Sequence, residues 1–354
     1  MSKLWYRTRS DEGRSKLHEV DLSAFRVTEP TVIYLSGFLT TNKQPGFIAG
    51  ALKRLEEMLD HRAPENSRPA RLYSWSHSSL GNLFNMVAYN GFPKRAYSKA
   101  GTVFAQGVLL PLVAKDATFD KKGRLTGATP LPEEEARKNL RNLTLLTYSA
   151  GTVTVQESFN AILKMMKKSG YAEAKARDIL REVVLISTGN VSRPSKEGNR
   201  FTTLYLVASN DIVVRGKNIL WAPLKTTLSN IFRRHSEKLR VERLSETSLF
   251  VSARLNKEEF EWRKRKDVTW LDKINPLLPA WTMINSNHEL PYYITHDDKI
   301  SPFANIALYS LTNAVGREKT ADISDIIAPP PATPTDAVTF YTQKMEKAAA
   351  IGKR

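Results

Sequence analysis

The sequence predicts an α/β fold with a mostly parallel central sheet flanked by helices, and a helical, basic insertion. Two observations predict it. Short apolar, β-prone runs alternate with segments of helical period: Thr31–Leu35 precedes Phe47–Leu59, Leu143–Tyr148 precedes Thr152–Lys168, and Tyr171–Leu180 precedes Glu182–Ser187. That order argues a parallel sheet. The runs also stop abruptly on small or polar residues, at Ser36-Gly37, Ser149, Thr188-Gly189-Asn190 and Ser209-Asn210-Asp211, and strand ends are where such sheets hold ligand groups. The 354 residues can bury a large core, read as a lead-in over 1–30, one domain over 31–315 and a tail over 316–354.

Taken in order, Trp5-Tyr6 and the alternation from His18 to Leu22 predict short edge strands before Pro30. Thr31–Leu35 is a buried strand by composition, and Ser36-Gly37-Phe38 is the loop that leads to the Phe47–Leu59 helix. Arg71–Trp75 is a third strand, followed by a polar loop with His77, a solvated position. Tyr97–Ala114 predicts a helix and 115–132 a loop. Pro132-Glu133-Glu134-Glu135 opens the next helix, with proline near its first turn and acidic residues at its positive end. After the Leu143–Tyr148 strand come the two helices and two strands that end at Ala208. Residues 215–275 read as a basic, amphipathic helical insertion, a lid or cap, with Ser248–Ala253 as a candidate strand. Within it, Phe260, Trp262 and Trp270 among basic residues suit either an interfacial face or a helix packed by its aromatics. Trp281–Asn285 predicts the last strand and Phe303–Leu311 a closing helix. The four prolines of 328–334 predict an extended tether before a basic tail.

Composition narrows the partners. The formal net charge is +17, which favours an anionic lipid surface or an acidic protein. The densest basic points, Arg233-Arg234-His235 and Arg263-Lys264-Arg265-Lys266, match no nucleic-acid module and argue against a specific nucleic-acid role. There is no cysteine, hence no disulfide, thiol nucleophile or cysteine metal site. No apolar run is long enough to span a membrane and the N-terminus lacks a signal-like apolar core, so a soluble, cytoplasmic protein is expected.

The chemistry concentrates at Leu143–Gly151. A serine squeezed between strand and helix sits in strained backbone and tolerates only small neighbours two positions away. Gly151 meets that rule; Thr147 fits the strand, but its β-branch crowds the turn. The helix start supplies unpaired N–H groups and a positive dipole end, which would stabilise negative charge near the Ala150 amide.

Strand, Thr147-Tyr148-Ser149-Ala150-Gly151 and helix resemble the nucleophile elbow of the α/β-hydrolase superfamily, Gly-x-Ser-x-Gly. The resemblance covers about residues 31–300 and rests on the order of five features. It implies Ser149 as nucleophile, Asp211 as triad carboxylate, His288 as base and the Phe38 and Ala150 amides as oxyanion hole, with serine at 36 where histidine is commoner. His296 is the competitor for the base; His18, His61 and His235 lie outside any such context. The implied activity is cleavage of a carboxylic ester or related acyl substrate, with no metal or organic cofactor. The alternative is an inactive binding or structural protein on the same fold, docked on an anionic partner.

Overall fold

The structure, a computed structural model, describes residues 2–9, 15–35, 45–62, 70–76, 99–149, 151–190, 201–208, 240–253, 293–294, 303–320 and 322–327. Strands β1 (Lys3–Arg9) and β2 (Ser15–Val20) form an antiparallel hairpin. Next come β3 (Thr31–Leu35), α1 (Pro45–Arg62), β4 (Arg71–Ser76) and α2 (Lys99–Phe104). A second hairpin joins β5 (Ala114–Phe119) to β6 (Leu125–Pro130). The chain continues as α3 (Glu133–Arg141), β7 (Leu143–Tyr148), α4 (Gly151–Lys168) and α5 (Glu173–Leu180). Beyond α5 lie β8 (Val184–Thr188), β9 (Thr202–Ala208), β10 (Arg240–Ser245), β11 (Ser248–Ala253), α6 (Ala304–Ala314) and α7 (Ile323–Ile327).

Nine of these strands make one sheet in the order β10-β11-β9-β8-β7-β3-β4-β1-β2. Its middle, from β11 to β4, is parallel throughout, with antiparallel hairpins at both edges. The chain steps from β3 one way to β4, then returns to the other side of β3 and steps away through β7, β8 and β9. Right-handed crossovers in opposite directions place their helices on opposite faces. Accordingly α1 packs with α6 and α7 on one face, through Ala51, Leu55, Met58, Ile306, Leu308 and Ile323. On the other face α4 packs with α2, α3 and α5, through Val155, Phe159, Ile162, Met166, Leu140 and Ile179. Strands covered on both faces carry unbroken apolar runs; β3 is buried at every residue, as is β9.

The fold class read from the sequence, a mostly parallel sheet flanked by helices, is the observed one. Two stretches differ. The predicted helix over Tyr97–Ala114 has, among its described residues, only α2 as regular α-helix; it widens into a π turn at Ala105–Leu109, then tightens into a 3-10 turn at Leu110–Leu112 that contains Pro111, and Ala114 already begins a strand. The expected loop over 115–132 is the β5–β6 hairpin. Its signal is weak because β5 is solvent-exposed from Lys115 to Phe119 and shows no buried alternation. Its turn is held by Asp120, whose carboxylate accepts the Lys122 and Arg124 amide N–H groups at 2.9 and 2.8 Å. Within the stretch expected to be helical, 215–275, residues 240–253 form the β10–β11 hairpin. Ser248–Ala253 is the strand the sequence suggested, and it extends the parallel set beside β9.

At the amino ends of β7 and β8 a buried ionic cluster ties the chain's later helices to the sheet. Glu182, with no exposed side-chain surface, accepts hydrogen bonds from Arg137 Nη1 and Arg141 Nε at 3.2 Å and from Thr320 Oγ1 at 2.7 Å. Its main-chain oxygen accepts from Arg317, which also donates to Ala314 O at 2.6 Å. Burial holds Arg317 down at about 10, opposed by the charge of Glu182 and reinforced by that of Arg141. Burial would lower Arg137 too, but its hydrogen bonds to Asp178, Glu133 and Glu182 outweigh it and the net shift is upward.

Candidate functional site

The site begins where β7 stops. The parallel strands β3 and β7 are neighbours from which the chain departs in opposite directions; the crevice at the carboxyl end of such a switch point is where open α/β sheets bind ligands. Ser149 stands at that end. Its φ is +52°, the left-handed region that a non-glycine residue enters at a cost of about 1–2 kcal/mol. Such a conformation persists only where the surroundings over-determine it, and here both main-chain groups are held. The Ser149 N–H donates to Thr188 O at 3.1 Å, while its carbonyl accepts from the Thr152 N–H at 3.1 Å and Thr152 Oγ1 at 2.6 Å. Thr188 Oγ1 in turn donates to Thr147 O at 2.8 Å. β7, the end of β8 and the first turn of α4 thus pin one serine in a strained turn.

Thr147, the residue that departs from the resembled pattern, is fully buried. Alternation from Leu145 places it on the face covered by α4. It lies in register with Leu35 on β3 and Ser187 on β8. Among the described residues neither the Thr147 nor the Ser187 hydroxyl has a hydrogen-bond partner. Tyr148 points to the opposite face, where its ring lies 6.3 Å from that of Tyr293. Tyr293 stacks on Phe303 at 5.7 Å, and its hydroxyl accepts the Ala208 N–H at 3.2 Å. Sequence reasoning did not single out Tyr293, Thr152 or Thr188; aromatics after a strand and threonines near turns have many roles, and only the tertiary pairing distinguishes these.

Of the residues expected to act, Ser149 is placed as described. Asp211, His288, Phe38 and Ala150 lie outside the described residues, as do His296, His77 and the expected strand Trp281–Asn285. His18 is half-buried on β2, stacked on Tyr6 at 5.0 Å and bonded to Thr8 Oγ1 at 2.9 Å. Among the described residues no group of acidic or histidine side chains could hold a metal ion, and no helix is long and apolar enough to cross a membrane. The site and fold define an α/β protein with a strained serine at the switch point of its sheet. No family model matches the chain, and no curated protein does either.

Proposed function

We propose that this chain is a serine hydrolase that cleaves a carboxylic ester or a related acyl substrate. The observation that carries the reading is Ser149 at φ +52° in the strand-to-helix turn after β7. A serine kept at this cost where glycine would fit freely presents a hydroxyl at the turn, as a nucleophile elbow does. The switch-point location supports the same reading, because Gly37 and Phe38 follow β3, the neighbour of β7, by two and three residues in sequence.

In this mechanism Ser149 Oγ attacks the acyl carbon. His288 takes the hydroxyl proton and returns it to the leaving group, and Asp211 holds the imidazole in the required tautomer. The Phe38 and Ala150 amides receive the oxyanion, and losing one such donor costs about 3 kcal/mol, on the order of a hundredfold in rate. The described chain supplies short tethers to these positions. Asp211 follows Ala208 by three residues and His288 precedes Tyr293 by five, reaches of at most ~11 and ~18 Å.

The test is labelling by a fluorophosphonate, read by intact mass on the wild type and on Ser149→Ala. One adduct on the wild type and none on the variant is the expected result. A folded wild type that takes no label overturns the proposal and leaves the second reading, a non-catalytic protein docked on an anionic partner, which the net charge of +17 favours.

A further inference from the structure

We infer that Tyr293 is a positioning residue of the Ser149 site, clasping the end of β7, the end of β9 and the start of α6 into one arrangement. This rests on the hydrolase reading above. Tyr293 is fully buried. Its ring meets Tyr148 at 6.3 Å and 52° and stacks on Phe303 at 5.7 Å and 12°. A side chain needed only to fill this space would have no use for a hydroxyl; Phe303, equally buried beside it, has none. The Tyr293 hydroxyl instead accepts the Ala208 N–H, so an N–H at the end of β9 closes on a side chain from a distant part of the sequence, 85 residues away. A buried tyrosine hydroxyl that finds such a partner fixes orientation as well as volume.

Each end of the clasp lies close in sequence to a residue of the proposed reaction. Tyr148 is the neighbour of Ser149, Ala208 is three residues from Asp211, and Tyr293 itself is five from His288. A displacement of about 1 Å between reacting groups costs on the order of a hundredfold, so the clasp should act on the rate of the covalent step rather than on binding. The Phe303 stack also carries α6 into the arrangement, because Phe303 immediately precedes that helix.

The experiment compares full-length wild type, Tyr293→Phe and Tyr293→Ala. It measures the inactivation rate constant and the apparent affinity for a fluorophosphonate, normalised to folded protein, together with amide hydrogen exchange at Ala208. Tyr293→Phe keeps both ring contacts and loses the hydroxyl; its Ala208 amide should exchange about fivefold faster or more, and its inactivation rate should fall severalfold at unchanged affinity. Tyr293→Ala should lose on the order of a hundredfold in rate, with Phe at 293 restoring most of it. If Tyr293→Ala does not fold, Tyr293→Phe carries the test alone. Wild-type inactivation rates in the folded variants, or a loss confined to affinity, overturn the positioning role while the hydrolase reading stands. No label on the wild type overturns both, and exchange at Ala208 still reports whether the clasp itself forms.

Discussion

The strained serine gives a stability prediction whose sign is opposite to the usual one. Replacing alanine by glycine ordinarily destabilises a protein, by about 0.4–1 kcal/mol, because the unfolded chain gains freedom. At φ +52° the native state instead penalises every residue with a Cβ by about 1–2 kcal/mol, and glycine escapes that cost. The difference leaves Ser149→Gly more stable than Ser149→Ala by roughly 0.5–1 kcal/mol, although both lack the hydroxyl and neither should take a fluorophosphonate. Thermal scans are poorly suited to the comparison. At about 2.1 cal/mol/K per residue, a chain of 354 residues unfolds with an entropy near 0.7 kcal/mol/K, so the whole effect is ~1 °C in Tm. Urea denaturation at equal m-value is the assay, with the midpoint of the glycine variant expected above that of the alanine variant. A glycine variant less stable than alanine by the usual margin would refute the left-handed turn, and with it the argument that Ser149 is held there for its side chain.

Other substitutions probe the surroundings. Thr147→Val removes a buried hydroxyl that has no partner among the described residues and keeps the branched shape, so stability should hold or rise by up to about 1 kcal/mol; a clear loss in urea would show that the hydroxyl is satisfied in solution. Glu182→Ala strips the acceptor from Arg137, Arg141 and Thr320 and leaves buried positive charge beside it, which should cost about 3–5 kcal/mol by urea denaturation; a cost below about 1 kcal/mol would show that the cluster is solvated. The Glu133 carboxyl is lowered by its hydrogen bonds from Lys175 and then Arg137. Its folded pKa lies below its unfolded one, so this stabilisation is complete above about pH 4.3 and disappears as pH falls through the lower folded value. Urea midpoints of wild type and Glu133→Gln should therefore differ near neutrality and converge in acid; a constant separation down to pH 2 contradicts the shift.

The fold was legible where burial on both faces leaves an unbroken apolar run, as in β3, β7, β8 and β9, because such strands announce themselves without their partners. It was not legible in β5, whose side chains face solvent and whose order depends on the Asp120 turn. Nor was it legible in β10, where Arg240, Glu242 and Arg243 conceal a strand that pairs with β11. At the site, the small neighbours of Ser149 showed where the chain must bend. The two threonines that hold the bend are 3 and 39 residues away in sequence, and nothing local in Thr188 predicts that its carbonyl would take the Ser149 N–H. Thr147 reads from sequence as an obstacle to the turn; in the fold its side chain is buried in the sheet face under α4, while its carbonyl is the acceptor for Thr188.

The two unusual features of the molecule lie at opposite ends of the same strands, and this separation has a measurable consequence. The strained serine follows the carboxyl end of β7, whereas the Glu182 cluster gathers before the amino ends of β7 and β8, where Thr144 Oγ1 also donates to Ala314 O at 3.2 Å. A strand of six residues spans about 20 Å, well beyond the 7–10 Å over which substitutions usually couple. The strain at Ser149 is held locally by Thr152 and Thr188, so the ionic cluster has no part in enforcing it. In Ser149→Gly combined with Glu182→Ala, the two stability changes should add to within about 0.5 kcal/mol. Coupling of 1 kcal/mol or more would mean that the ionic cluster sets the geometry of the serine turn through the sheet, and the view of the turn as locally over-determined would have to be abandoned.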